Sequence, residues 1–115
     1  MRLLSTACAA LGALALIVAL PTSASAADGH FLYRYTGLDG SPRVGVLTDP
    51  RSYECLTLPE VGDPASSSPA HSPLNHTSEY ATVFTGPHCD GASYVLDPNG
   101  GQASERLKLR SVRFR

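Results

Sequence analysis

The sequence has no run of like charge, no recognisable catalytic motif and, beyond residue 26, no sustained helical periodicity. Each absence closes off a class of protein. Without a basic stretch there is no electrostatic footprint for nucleic acid or for an anionic membrane surface. Neither a Gly-x-Ser-x-Gly elbow, a His-Glu-x-x-His helix nor a phosphate loop is present, so an enzymatic reading rests on composition alone. His88 and Asp90 stand near Cys89, and Ser111 follows, but any chain of this size carries such residues. Four histidines, His30, His71, His76 and His88, fall at spacings that suit no metal, and neither a metal nor any other cofactor is expected.

Charge is sparse and nearly balanced. Beyond residue 26 there are 8 Lys and Arg against 10 Asp and Glu. The one long hydrophobic run is at the start. Arg2 precedes an uncharged, Leu- and Ala-rich stretch from Leu3 to Leu20, Pro21 breaks it, and Ala24-Ser25-Ala26 supplies small residues where a signal peptidase needs them. Residues 1–26 therefore read as a cleaved secretory signal. The competing reading is a membrane anchor, since the run nearly spans a bilayer. Cys8 lies inside the apolar run rather than after it, which argues against a lipoprotein. After cleavage the expectation is a secreted, extracellular protein with no membrane association.

Residues 27–115 then form a single domain with room for one core. Removing Cys8 leaves Cys55 and Cys89. In an oxidising compartment an isolated pair in so small a domain is expected to be a disulfide.

The rest of the chain alternates short β-forming runs with turn residues. From His30 to Thr36, Phe31, Tyr33 and Tyr35 share one face, with Leu32 and Arg34 on the other. Asp39-Gly40 marks a hairpin turn before a run from Arg43 to Thr48. A third run spans Tyr53 to Leu58. Residues 59–78, with Pro59, Pro64, Pro69, Pro73 and the Ser66-Ser67-Ser68 run, read as a long Pro/Ser-rich loop. Within it Asn75-His76-Thr77 matches a glycosylation sequon. Strands resume over Tyr80–Thr85 and Ala92–Asp97, then Leu107–Leu109 and Ser111–Phe114 after the Pro98-Asn99-Gly100-Gly101 turn. The five tyrosines read as core or cross-strand partners. The alternating Arg106, Lys108, Arg110, Arg113 and Arg115 read as a solvated outer face. Together these runs predict an all-β sandwich or small barrel.

Phe84, Gly91, Tyr94, Pro98, Gly100 and Ser111 follow the order of a βγ-crystallin Greek key. An aromatic on the first strand precedes a folded hairpin with an obligatory Gly, a second strand, a turn and a tethering Ser. Cys55, Asn75, Thr77, Val83, Cys89, Asp90 and Gly91 further resemble the secreted actinobacterial branch of that fold, the peptidase inhibitors similar to Streptomyces metalloproteinase inhibitor. The resemblance covers residues 53–115; residues 30–52 supply strands and turns of the right size without a second full motif. It implies a small Greek-key sandwich and a non-enzymatic binding module, a protease inhibitor of the monomeric kind, whose partner is an extracellular protein such as a secreted protease. The alternative is an extracellular structural, stress or toxin-like protein of the same fold. Arg106, Lys108 and Arg110 precede Ser111 where calcium-binding members place acidic or amide residues, so no calcium is expected there.

Overall fold

The computed structural model describes residues 25–115. The expected signal segment lies outside the described residues except for Ser25 and Ala26. The described chain is all-β. Its strands are β1 (Gly29–Thr36), β2 (Pro42–Thr48), β3 (Leu56–Thr57), β4 (Ala70–Thr77), β5 (Ala81–Phe84), β6 (Ser93–Leu96), β7 (Gly101–Gln102), β8 (Lys108–Leu109) and β9 (Ser111–Phe114). They make two antiparallel sheets. One has the order β2-β1-β4-β7, with β8 also on β4; the other has the order β3-β9-β5-β6.

This order divides the chain into two units of like design. In the first, β1 and β2 form a hairpin, β4 returns beside β1, and β3 crosses to the opposite sheet. In the second, β5 and β6 form the hairpin, β9 returns beside β5, and β7 and β8 cross to the first sheet. Each sheet is therefore completed by a strand from the other unit.

The alternation in β1 decides which way the first sheet faces. Phe31 and Tyr33 are buried and Tyr35 is half-buried, while His30, Arg34 and Thr36 are exposed. In β5 the inward residues are Ala81 and Val83, as their spacing implies. The inner faces enclose Phe31, Tyr33, Leu58, Val61, Leu96, Leu109, Val112 and Phe114. Phe31 and Phe114, one from each sheet, meet edge-to-face with ring centroids 5.4 Å apart, an arrangement that sets the positive ring edge against the negative face.

The segment expected as a loop over 59–78 is corrected in its second half. Ala70–Thr77 is β4, an eight-residue strand with partners on both sides. Its composition conceals it, because His, Ser, Pro and Asn are poor β-formers. Pro73 is tolerated there because the ladder is already broken: Leu32 pairs with Leu74 but Arg34 pairs with His71, which leaves a bulge at Ser72-Pro73. Ser72 takes φ 53°, and the Pro73 carbonyl still accepts a bond from Ala103 N at 3.1 Å. A proline without an N–H belongs at such a bulge. The third expected run is also shorter than its apolar residues suggest. Tyr53 sits at φ 63° outside β3 and is exposed.

Candidate binding site

Two surface structures are built on this frame, a locked hairpin and a braced loop. The hairpin between β5 and β6 folds back over the outer face of its sheet. The expected disulfide is present: Cys55 and Cys89 are bonded, with Cα atoms 5.9 Å apart. Ser111 provides a second tie. Its buried hydroxyl donates to the Gly86 carbonyl at 2.6 Å and accepts from Cys89 N at 2.8 Å. Thr57 Oγ1 adds a third tie, donating to the Pro87 carbonyl at 2.5 Å. Beneath the hairpin lies Phe84, 8% exposed although it faces outward, with the Arg113 guanidinium 5.7 Å from its ring centre.

Gly91 closes this hairpin at φ 81°, and a Cβ there would come within 2.3 Å of Thr85 Oγ1. Only glycine meets both demands. Gly100, at φ 122°, turns the chain after β6 and donates to the Asn75 carbonyl at 2.7 Å. Tyr94 stays at the sandwich rim, half-exposed. Thus Phe84, Gly91 and Ser111 gather at one structure, whereas Tyr94 and Gly100 lie apart from it. Among the described residues no cluster of His, Cys, Asp or Glu is placed to hold a metal ion.

The braced loop runs from Pro59 to Pro69. Leu58 and Val61 are buried and fix its root, and Pro59–Val61 forms one turn of 3-10 helix. Asp63 organises the far side. Its Oδ1 accepts from Ala65 N at 2.9 Å, its Oδ2 from Ser66 Oγ at 3.0 Å, and its carbonyl from Ser67 Oγ at 2.6 Å. Such local carboxylate and hydroxyl bonds take the place of a regular ladder.

Arg110 completes the brace. Expected on a solvated face, it is 8% exposed, because it falls at the bend between β8 and β9 within a run of buried residues from Leu109 to Val112. Its guanidinium donates to the Val61 carbonyl at 2.9 Å, to Ser67 Oγ at 3.0 Å and to the Ser67 carbonyl at 2.8 Å. All three acceptors are uncharged loop groups. The rigid fork of arginine suits this multi-point grip better than lysine would. Nothing in the alternating charges around it marks Arg110 as different. The signal available was its distance of two residues from buried Val112.

Between this loop and the β1–β2 turn lies an open cleft of about 780 Å³, lined by Tyr35, Asp39, Arg43, Glu60, Ser66 and Ser68 among others. Tyr33 OH donates to Glu60 Oε1 at 2.6 Å from beneath it. Burial, followed by the Glu60 carboxylate, raises the Tyr33 phenol far above the ordinary tyrosine range. On the turn, bonds from the Ser41 hydroxyl and N–H hold the Asp39 carboxyl below the usual carboxylate range.

The sequon has a structural role. Asn75 and Thr77 are both fully buried. Asn75 Nδ2 donates to the Glu79 carbonyl at 2.8 Å and to the Asp97 carbonyl at 2.9 Å, while its Oδ1 accepts from Thr77 Oγ1 at 2.7 Å. The folded chain has no room for a glycan at this nitrogen. Of the five tyrosines, Tyr33 is core and Tyr35 half-buried, but Tyr53, Tyr80 and Tyr94 are exposed. His88 is exposed on the locked hairpin and His76 on the outer face of β4.

Compared with known proteins, the chain matches no family model, no curated protein and no solved structure.

Proposed function

We propose that the chain is a secreted, non-enzymatic binding module of the βγ-crystallin kind, and that the Pro59–Pro69 loop is the element it offers to an extracellular protein such as a secreted protease. The supporting observation is the brace itself. A buried arginine grips a loop whose apex, Asp63 to Ser66, is exposed. A loop already held in one shape loses little conformational freedom on binding, so more of its contact energy appears as affinity. The same rigidity resists the local unfolding that a protease needs to thread a chain through its cleft. The two units, of four and five strands, exchange crossing strands in a way that suits the Greek-key reading, and the disulfide suits an oxidising compartment.

The test is titration of secreted metallo- and serine proteases with the purified oxidised protein. Stoichiometric inhibition by the intact chain is expected, with a large loss in Arg110→Ala. Rapid cleavage within residues 62–68 without inhibition of any protease overturns the inhibitory reading. The structural or toxin-like alternative gains if the protein resists cleavage, inhibits nothing and alters the growth of neighbouring cells.

A further inference from the structure

The open edge of the first sheet carries a self-complementary strand. Strand β2 is the terminal strand of its sheet, seven residues long and paired only with β1. Gly37 N bonds to the Ser41 carbonyl and Asp49 N to the Gly29 carbonyl, which phases the β1–β2 ladder at both ends. In an antiparallel ladder alternate residues bond inward. With this phasing Arg43, Gly45 and Leu47 bond to β1, and Val44, Val46 and Thr48 direct their N–H and C=O groups to the open edge.

Edge strands of this length are usually guarded by a lysine, a central proline or a bulge. Here the only proline is Pro42, at the very start, the only charged residue is Arg43 beside it, and the register with β1 is unbroken. Val44 and Val46 are 56% and 49% exposed on the outer face. They continue an apolar row, since Val46 pairs with Leu32 and Leu32 with Leu74.

We propose that β2 pairs antiparallel with β2 of a second copy, about a two-fold axis at Val46. In this register Val46 faces Val46 of the other copy and Val44 faces Thr48, so all three residues with edge-directed groups find partners. Pro42, which has no N–H to offer, falls outside the ladder. The row Leu74–Leu32–Val46 then runs unbroken into its counterpart. Gly45 meets Leu47, a small residue beside a large one. At each end Arg43 comes opposite Asp49 of the other copy, which lies just past the strand at φ 45° and whose Oδ1 accepts from its own Gly29 N at 2.8 Å, so that its other carboxylate oxygen is the one left to meet the guanidinium. Arg43 is free to respond, since its present bond to Asp39 is a 3.4 Å contact between side chains more than half exposed. In an isologous pairing one contact satisfies the open edges of both copies at once and repeats each charge pair by symmetry, and this favours a second copy over an unrelated peptide. The proposal departs from the monomer expected from the sequence. It does not rest on the loop reading, although Arg43 also lines the cleft beside the loop.

Sedimentation equilibrium on the oxidised mature chain, from about 1 to 300 µM, tests it, paired with hydrogen exchange at the two ends of that range. Twice the chain mass is expected at the upper end, with slower exchange there of the Val44, Val46 and Thr48 amides. Val46→Lys, at a half-exposed site, is expected to weaken association at least about tenfold by setting like charges opposite each other, with an unchanged circular-dichroism spectrum. A single-chain mass throughout overturns the proposal. So does a dimer whose β2 amides exchange equally fast at both concentrations, or one that Val46→Lys leaves intact.

Discussion

The first and second units share one strand order and differ in how their hairpins are held. In the second, the outward Phe84 stands opposite Ser111, whose hydroxyl ties down the hairpin above it, and a disulfide repeats the tie to β3. In the first, the outward Arg34 stands opposite His71, and the turn at Leu38–Gly40 is closed only on itself. Among the described residues no hydrogen bond joins that turn to β4. The consequence is spatial. The locked unit covers its own outer face, while the open unit leaves a cleft, a braced loop and a bare strand edge. One topology thus serves as clamp in one half and as presented surface in the other.

Breaking the clamp is the strongest way to test this division. Cys55→Ser removes a link across 34 residues of sequence, worth about 3–4 kcal/mol in the chain-entropy account. Thermal melting should fall by more than about 10 °C for a domain of this size. An unchanged midpoint would mean that the hydroxyl ties alone hold the hairpin.

Ser111→Ala is next. It leaves the Cys89 N–H without its acceptor and the Gly86 carbonyl without its donor, at a cost of about 2 kcal/mol by denaturant titration. His71→Ala, at the matching place in the open unit, should cost under about 1 kcal/mol, because His71 bonds only to neighbouring Ser72 Oγ, at 2.8 Å. Equal losses at the two positions would abolish the distinction between the units.

The smallest expected effect is at Tyr33. Tyr33→Phe gives up the bond to Glu60, about 1 kcal/mol at neutral pH. The linkage with pH is more telling. Burial and Glu60 raise the folded phenol above its ordinary value of 10.0. Above that pH the unfolded chain releases a proton that the folded chain keeps, so stability falls as pH rises. Tyr33→Phe should flatten that alkaline decline between about pH 10 and 11. A decline identical in both proteins would place its origin elsewhere.

Much of this architecture is legible in the residues. Period-two aromatics in β1 and the Asp-Gly turn mark the first hairpin, and the cysteine pair that remains after residue 26 predicts the bond that is present. Strand β4 is hidden because its burial is carried by Ala70, Pro73, Asn75 and Thr77, which no hydrophobic pattern distinguishes from loop. Its stability comes from partners far along the chain, the Asp97 carbonyl among them. Arg110 is hidden for a related reason. Its acceptors, Val61 and Ser67, lie more than 40 residues away, and local charge alternation cannot report them. Sequence pattern reveals faces and turns. It misses polar groups whose partners are distant backbone carbonyls.

The exchange of crossing strands also sets a schedule for folding. Strand β9 is among the last residues of the chain, yet it lies inside its sheet with β3 on one side and β5 on the other. A chain emerging from its N-terminus therefore makes β3 with nothing to pair it and β5 with only half its ladder. The inner face of β1 likewise waits for Phe114. Such dependence on late, distant contacts slows folding. Deleting β9, Ser111–Phe114, would strand both neighbours at once and should prevent folding altogether.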